Sequence, residues 1–264
     1  MTHPDPLSAF RVSGQSIVVT GASGALGSAV AEALGALGAR LLLASGSAAG
    51  LADAARRAGS AGGEVATAAL RPDSEADVAA IFDAAIAAFG TVDSVFVASG
   101  LNKPAPIEQQ PYADWQQVMD ANVRGPWLLA RAFGQHVAAR GGRGKMVLVS
   151  SVRGRHGHPA GYSAYCTAKG AVDALTRTLA TEWGPRGINV NAIAPAVFPS
   201  ALTEWIFADT EAGQAARERN MSRIPMKRLG TPEDFIGSAL YLLSAASDWV
   251  TGQILYVDGG YTSS

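Results

Sequence analysis

Cysteine, charge and long apolar runs are all scarce in this sequence. Its 264 residues include one cysteine, Cys166, which excludes an intrachain disulfide and a multi-cysteine metal site and agrees with a reducing, cytoplasmic location. Charged residues make up 16% of the chain, and the net charge is −1. Nucleic-acid binding requires clustered Lys and Arg side chains, which this sequence lacks. We therefore expect neither a metal site nor a nucleic-acid partner.

The features of a membrane anchor or a secretory leader are missing as well. No run of about 18 apolar residues occurs, and residues 1–10 are polar and contain proline, unlike the apolar core of a signal peptide. Hydrophobic residues nevertheless make up 48% of the chain, which is enough for a large core. Because no linker or internal repeat interrupts the pattern, we expect residues 1–264 to form a single domain without a membrane partner.

Short apolar runs alternate with longer segments of helical periodicity. The predicted strands are 16–20, 40–44, 92–98, 145–150, 188–193 and 253–257. The predicted helices are 28–37, 77–89, a long stretch within 112–140, 163–183 and 232–243. The strands are mostly apolar throughout, which is typical of a parallel sheet covered on both faces. The pattern therefore predicts an α/β fold of the Rossmann type, a doubly wound, mostly parallel sheet flanked by helices on both faces.

A glycine-rich turn separates the first predicted strand from the first helix. Gly21, Gly24 and Gly27 suit a tight turn, a close approach of the backbone to a pyrophosphate, and close packing of helix on strand. The spacing differs from the strict Gly-x-Gly-x-x-Gly fingerprint, and an ordinary tight turn is the alternative. The strand before the turn and the helix after it favour dinucleotide binding, with phosphates at the helix N-terminus.

The end of the second predicted strand bears on the choice between NAD and NADP. An acidic residue at this point binds the ribose hydroxyls of NAD and repels a 2′-phosphate. Here the sequence is Ala44-Ser45-Gly46-Ser47, with no carboxylate and no adjacent arginine. Ser45 and Ser47 can donate hydrogen bonds to a phosphate, although a plain surface turn is the alternative. The segment favours NADP(H) modestly over NAD(H).

Tyr165 and Lys169 lie on one face of the helix predicted at 163–183, because residues four apart are neighbours on a helix. A tyrosine phenol titrates near ~10, too high for easy proton transfer at neutral pH. A lysine cation beside it favours the phenolate, so we expect Lys169 to lower the pKa of Tyr165. Ser151 follows the strand predicted at 145–150, at the sheet edge where open α/β folds bind ligands. Together these residues suit general acid–base catalysis.

Several linked motifs in this order resemble the short-chain dehydrogenase/reductase family, in its single-domain branch. The resemblance runs from about residue 10 to residue 261. The motifs that carry it are the glycine turn, Asp120-Ala121-Asn122-Val123, Ser151, Tyr165-x-x-x-Lys169, Asn189-Val190-Asn191-Ala192-Ile193-Ala194-Pro195, Arg228-Leu229-Gly230-Thr231-Pro232-Glu233-Asp234, Val250-Thr251-Gly252-Gln253 and Val257-Asp258-Gly259-Gly260.

The resemblance implies an NAD(P)-dependent oxidoreductase that interconverts a carbonyl and a secondary alcohol. Tyr165 would be the general acid/base, Ser151 would orient the substrate, Lys169 would bind the nicotinamide ribose, and Asn122 would hold a water that links Lys169 to solvent. The cofactor site implied comprises Gly21, Ser23, Gly24, Leu26, Gly27, Ser45, Gly100, Tyr165, Lys169, Pro195, Phe198 and Ser200. The family also implies a homo-oligomer, with a tetramer as the expected state and the helical segments 112–140 and 163–183 as candidate contacts.

The sequence departs from the family pattern at several points. Val97-Ala98-Ser99-Gly100 replaces the usual Asn-Asn-Ala-Gly, and Arg71 stands about where an aspartate commonly lies near the adenine. Pro195-Ala196 replaces Pro-Gly, and Ser200 replaces a threonine. The gap from Ser151 to Tyr165 is one residue longer than expected, so we expect the intervening loop to bulge.

The substrate is left open by the sequence. The loop before Tyr165 contains four basic or titratable side chains, Arg153, Arg155, His156 and His158. Three interpretations of them remain open: the wall of a polar pocket, a solvated loop and a subunit contact. A sugar, a polyol, a hydroxy acid or a cyclic ketone would each fit the family. Two other functions remain as alternatives: a non-catalytic dinucleotide-binding sensor or scaffold, and an isomerase or dehydratase on the same fold.

Overall fold

The computed structural model describes residues 5–263 of the chain. Residues 1–4 of the polar N-terminal segment, and Ser264, lie outside the described residues. Within the described part, the chain folds around a seven-stranded sheet with the strand order β3-β2-β1-β4-β5-β6-β7. The strands are β1 Ser16–Thr20, β2 Arg40–Ala44, β3 Glu64–Ala68, β4 Ser94–Val97, β5 Gly144–Val149, β6 Ile188–Pro195 and β7 Ile254–Val257.

Every neighbouring pair of these strands runs parallel, as the apolar strands predict. The connecting helices are α1 Ala25–Ala36, α2 Ala48–Ser60, α3 Glu75–Phe89, α4 Tyr112–Met119, α5 Gly125–Arg140, α6 Ser163–Trp183, α7 Glu204–Phe207, α8 Glu211–Arg223 and α9 Pro232–Leu243. The expected doubly wound α/β architecture is therefore confirmed.

The core forms two layers because alternate residues of each strand point to opposite faces of the sheet. On one face, Val18 packs with the side chains of α3, α5 and α6, including Phe133. On the other face, Ile17 and Val19 pack with those of α1, α2 and α9, including Phe235. Burying both faces explains why these strands are apolar at nearly every position.

Several parts of the fold differ from the sequence expectation. The sequence pattern did not predict α2, β3, α7 or α8. Strand β3 is an edge strand whose residues are mostly exposed or half-buried, so it lacks the continuous apolar run that marks the inner strands. The stretch predicted as one helix within 112–140 is divided by a π-helical turn, Asp120–Arg124, between α4 and α5. That turn carries Asn122.

The strand order changes direction between β1 and β4. After β1 the chain builds β2 and β3 on one side, then crosses to β4 and continues on the other side. In open α/β sheets, the crevice at the carboxyl ends of the strands at such a point binds ligands. Among the described residues, no helix is both long and apolar enough to cross a membrane.

Candidate active site

A cleft of about 280 Å³ opens at the carboxyl ends of the central strands. It is lined by most of the site residues expected from the sequence, namely Gly24, Leu26, Gly27, Gly100, Ser151, Tyr165, Lys169, Pro195, Phe198 and Ser200. The other four expected residues, Gly21, Ser23, Ser45 and Asn122, are not part of this lining.

The glycine turn between β1 and α1 is shaped for close backbone contacts. Gly21 has φ +69°, and a Cβ atom there would come within 2.5 Å of the Ser99 backbone nitrogen. A Cβ on Gly27 would overlap the carbonyl group of Gly21. Both positions therefore require glycine, one because the segment after β4 passes close by and the other because α1 packs against the turn.

The start of α1 faces the same cleft. Gly24 caps this helix, and no side-chain hydrogen bond satisfies its first backbone amides. Free amides and the positive end of a helix dipole suit an anion. With Gly24, Ala25 and Leu26 lining the cleft, this turn fits the pyrophosphate of a dinucleotide.

Beside this turn, the end of β2 carries a basic group that the local sequence did not reveal. The Ser45 and Ser23 hydroxyl oxygens are 2.5 Å apart. The space above Gly46 is filled by the side chain of Arg71, from the loop after β3, whose Nε lies 2.4 Å from where a Cβ on Gly46 would be. The expectation that no arginine lies beside Ser45 was therefore wrong. Arg71 is distant from Ser45 in the sequence but near it in the fold, because β2 and β3 are neighbouring strands and end side by side.

Two consecutive serines end β5, but their hydroxyl groups have different surroundings. The Ser150 hydroxyl donates to the Asp173 carboxylate at 2.5 Å and is buried. The Ser151 hydroxyl accepts the backbone N–H of Arg153 at 3.1 Å and is hydrogen-bonded with the phenol of Tyr165. Ser151 is therefore the serine placed to contact a substrate oxygen together with Tyr165.

The pKa of Tyr165 differs from the sequence expectation. Burial raises it to about 12, and the hydrogen bond with Ser151 and the charge of Arg153 only partly oppose that rise. The Lys169 ammonium lies 5.5 Å from the centre of the phenol ring but is not a cause of this shift. The expected lowering by Lys169 is thus wrong, because the loss of hydration on burial dominates the pKa of the phenol.

Lys169 is itself 3% exposed. Burial lowers its pKa to about 8, against the opposing charge of Asp173. Its ammonium donates to the Val149 carbonyl at 2.9 Å, at the end of β5. Lys169 is therefore held in the cleft, still mostly protonated at pH 7.

The π-helical turn places Asn122 behind Lys169. Its amide nitrogen donates to the carbonyls of Leu101 and Val118, at 2.7 and 2.8 Å. Its amide oxygen is buried and has no hydrogen-bond partner among the described residues. This oxygen and the Lys169 nitrogen both lie close to where a Cβ on Gly100 would be, at 3.0 and 3.7 Å. A buried acceptor in that position fits a bound water between Asn122 and Lys169.

The loop after β6 closes the cleft opposite α6. Phe198 is buried edge-to-face against Phe235, with ring centres 6.0 Å apart. The Ser200 hydroxyl lies 2.9 Å from that of Thr203. These contacts hold the backbone after Pro195 in place beside the cleft.

The residues between Ser151 and Tyr165 divide into two groups. Arg153 and His158 line the cleft, whereas Arg155 is exposed and lies over the ring of Tyr256, and His156 packs edge-to-face on Tyr261. At Gly161, where φ is +72°, the loop accepts a backbone hydrogen bond of 2.9 Å from Ala105.

Several cleft residues were missed by the sequence reasoning. These are Tyr162, Arg219, Asn220 and Tyr261. Arg219 and Asn220 belong to α8, which was not predicted as a helix, and Tyr261 follows β7 near the end of the chain. After β4, Asn102 also lines the cleft, whereas the neighbouring Lys103 pairs with Asp114 at 2.6 Å. No cluster of metal ligands occurs among residues 5–263.

Comparison with known proteins agrees with this geometry. Residues 21–262 match the family model described as Enoyl-(Acyl carrier protein) reductase. An uncharacterised oxidoreductase of Mycobacterium tuberculosis is 52% identical over 257 residues, or 97% of this chain and 94% of that protein.

Two solved structures share the fold closely. A short-chain type dehydrogenase/reductase from Mycobacterium marinum is 30% identical, with a TM-score of 0.91 over 98% of this chain and 99% of that one. A gluconate 5-dehydrogenase from Burkholderia cenocepacia, in complex with NADP and tartrate, is 32% identical, with a TM-score of 0.91 over 98% of this chain and 100% of that one.

Proposed function

Because this chain belongs to the short-chain dehydrogenase/reductase family, we propose that it is an NAD(P)-dependent dehydrogenase that interconverts a secondary alcohol and a carbonyl compound. The observation that carries the proposal is the position of Tyr165, hydrogen-bonded with Ser151 and beside Lys169, in the cleft that the glycine turn also lines. A binding protein without turnover has no need for these three side chains together.

The nicotinamide, when bound, supplies or accepts the hydride. In the direction of reduction, Tyr165 donates its phenolic proton to the carbonyl oxygen as negative charge develops there. In the direction of oxidation, it takes the proton from the alcohol. Ser151 donates a hydrogen bond to the same oxygen and orients it, which stabilises the developing charge.

Lys169 has two roles in this proposal. Its ammonium holds the nicotinamide ribose and, when positive, stabilises the phenolate that Tyr165 becomes. The buried amide oxygen of Asn122 holds a water that carries the proton from Lys169 towards solvent. Cofactor binding is assigned to the set expected from the sequence, Gly21, Ser23, Gly24, Leu26, Gly27, Ser45, Gly100, Tyr165, Lys169, Pro195, Phe198 and Ser200.

We assign NADP(H) as the preferred coenzyme. The region beside the glycine turn combines the hydroxyls of Ser23 and Ser45 with the guanidinium of Arg71. A guanidinium and hydroxyl donors suit a 2′-phosphate. The presence of NADP in the related Burkholderia structure supports the same assignment.

The substrate is a small alcohol or carbonyl compound, within the range of sugars, polyols, hydroxy acids and cyclic ketones. The name of the gluconate 5-dehydrogenase relative supports the polyhydroxylated part of this range. We also propose that residues 1–264 act as one catalytic domain and assemble as a homotetramer. Trp127 on α5 is 49% exposed and borders a groove with Leu179 and Trp183 of α6, a surface suited to a second copy.

The test is a coenzyme-coupled assay with NADPH and NADH against a panel of ketones, sugars and hydroxy acids. We expect turnover of at least one compound, and we expect Tyr165→Phe to lower kcat by roughly 10²–10⁴-fold because general acid–base catalysis has that magnitude. NADPH binding to this variant, measured by fluorescence titration, should remain within about threefold of wild type, since its phosphate contacts are untouched.

Three outcomes would reject parts of this proposal. Full activity of Tyr165→Phe rejects the assigned mechanism. Coenzyme binding without turnover of any compound favours a sensor or scaffold. Conversion of a substrate with no net change in NADPH favours an isomerase or dehydratase.

A further inference from the structure

We propose that the substrate of this cleft is a hydroxy acid or oxo acid, and that its carboxylate binds the guanidinium of Arg153. The inference rests on the proposed function, because it concerns the compound that Tyr165 and Ser151 act on. It narrows the substrate range to anions and gives Arg153 the role of selecting them.

Arg153 is a buried cation without an acidic partner among residues 5–263. It is 8% exposed, and no described carboxylate lies within ion-pair distance of it. Its guanidinium makes one side-chain hydrogen bond, to the Gly157 carbonyl at 3.1 Å, and lies 5.4 Å from the centre of the Tyr261 ring. A guanidinium has five N–H donors, and a buried charge is normally paired. Because Arg153 lines the cleft, its remaining donors are available to an anion that enters it.

The position of Arg153 places that anion next to the reacting groups. Arg153 lines the same cleft as Ser151 and Tyr165, and its backbone N–H donates to the Ser151 hydroxyl. Its charge acts on the phenol of Tyr165, where it lowers the pKa against the effect of burial. The contacts with Gly157 and Tyr261 hold the side chain in place, so less conformational entropy is lost when a carboxylate binds.

The charge of the whole cleft has the same sign. Its ionisable lining among the described residues consists of Lys169, Arg153 and Arg219, with His158 and three tyrosines, and includes no Asp or Glu. Burial, together with the charges of Arg153, Arg219 and Arg223, lowers the pKa of His158 to about 4. The arginines thus converge on one end of the cleft, where His158 is neutral at pH 7. A cleft lined by charge of one sign attracts ligands of the opposite sign.

The geometry favours a carboxylate over a neutral polyol. A neutral hydroxyl would leave the Arg153 charge without a counterion, whereas a planar carboxylate matches the guanidinium fork with two parallel hydrogen bonds. Arg219, exposed on α8 at the rim of the cleft, suits the capture of an anion as it enters. A phosphate ester shares the anionic chemistry, and the experiment separates the two.

The experiment compares acids with matched neutral compounds. D-Gluconate, tartrate, L-lactate and 3-hydroxybutyrate are each tested beside their primary amides, and D-glucitol and glucose 6-phosphate serve as the neutral and phosphorylated arms. We expect kcat/KM for at least one acid to exceed that of its amide by about 10–100-fold, the range of a hydrogen bond to a charged group. In Arg153→Met this acid-to-amide ratio should fall to about 1 and in Arg153→Lys to an intermediate value, mostly through KM.

Arg155→Met is the matched control, because Arg155 lies on the same loop but is exposed and contacts Tyr256 outside the cleft. It should leave the acid-to-amide ratio unchanged. Thermal unfolding of each variant checks that it folds. If Arg153→Met does not fold, Arg153→Lys and the wild-type acid-to-amide ratios still decide the proposal.

A second measurement covers the case in which none of these compounds turns over. Calorimetric titration of the NADP-loaded protein should show that D-gluconate binds at least about tenfold more tightly than D-glucitol, with the difference lost in Arg153→Met. The inference is overturned if wild type has the same kcat/KM for each acid and its amide, or if the preference for acids is unchanged in Arg153→Met. A preference for glucose 6-phosphate over every acid overturns the carboxylate assignment. If neutral ketones turn over in a way that depends on Tyr165, and acids are not preferred, this inference is rejected but the proposed function is supported.

Discussion

The two ends of the cleft are built in different ways. At the proposed catalytic end, Ser151, Tyr165 and Lys169 come from one stretch of chain, in which β5 leads through a loop into α6, and Lys169 is buried with its pKa lowered to about 8. At the proposed adenosine end, Ser45 and Arg71 come from loops after different strands, and Arg71 is exposed. The first end holds a charge out of water, whereas the second presents its charge at the surface.

The charged residues at the two ends therefore differ in how much they destabilise the folded protein. A buried cation near a phenol destabilises the folded protein but keeps a proton-transfer group away from bulk water. An exposed arginine costs little and can discriminate between coenzymes through one contact. Substitutions at the catalytic end should therefore change stability and turnover, and those at the adenosine end should change coenzyme preference alone.

The largest expected effect concerns Lys169 and stability. Its pKa is about 8 in the folded protein, below the ordinary value of 10.5, so the folded state resists protonation between these values. Its contribution to stability is complete above pH 10.5 and is lost as the pH falls through 8. Compared with Lys169→Met, wild type should gain roughly 3 kcal/mol of unfolding free energy between pH 7.5 and pH 10.5. Urea denaturation of both proteins across this range measures the gain. A stability difference that stays constant with pH would show that the Lys169 pKa is ordinary.

The second effect concerns Arg71 and coenzyme choice. Arg71→Ala should raise the dissociation constant of NADPH by roughly 10–100-fold, because a charge-assisted hydrogen bond to phosphate is lost. The NADH value should change by less than about twofold, and so should the melting temperature, since the side chain is exposed. Fluorescence titration with both coenzymes measures this selectivity. Arg56→Ala is the control, because Arg56 is exposed and paired with Asp53 at 2.5 Å on α2. Equal losses for both coenzymes would place Arg71 away from the 2′-phosphate.

The smallest effect concerns Ser45. Ser45 is 9% exposed and shares a hydrogen bond with Ser23, so it contributes a neutral hydroxyl where Arg71 contributes a charge. Ser45→Ala should weaken NADPH binding by about three- to tenfold and leave NADH binding nearly unchanged. The same titrations measure it. An effect on NADPH larger than that of Arg71→Ala would reverse the proposed order of the two residues.

The sequence was sufficient for the elements whose pattern is local. The bounds of β1, β2, α6 and α9 agree with the predicted segments, because a buried strand is apolar throughout and an amphipathic helix repeats every 3.6 residues. It was not sufficient for β3, whose edge position leaves it partly polar. Nor did periodicity reveal the π-helical turn at Asp120–Arg124, since a turn of that kind changes the backbone hydrogen bonds without changing the residue pattern.

The candidate site shows the same division. Ser151, Tyr165 and Lys169 were predicted together because they lie in one short stretch of chain and each residue type has a recognisable use. The direction of the Tyr165 pKa shift was not predictable, because burial is a property of the assembled fold. Arg219 and Tyr261 were missed because their only connection to the cleft is through space.

What the sequence determined by itself is the layering of the fold and the placement of Tyr165 and Lys169 on one helix face, since both follow from periodicities along one stretch of chain. Only the tertiary structure decided that Arg71 fills the space at Gly46 and that Arg153, but not Arg155, faces the cleft. The physical reason is that charge and burial depend on which segments meet. Parallel strands bring together the loops at their carboxyl ends, however far apart those loops lie in the chain.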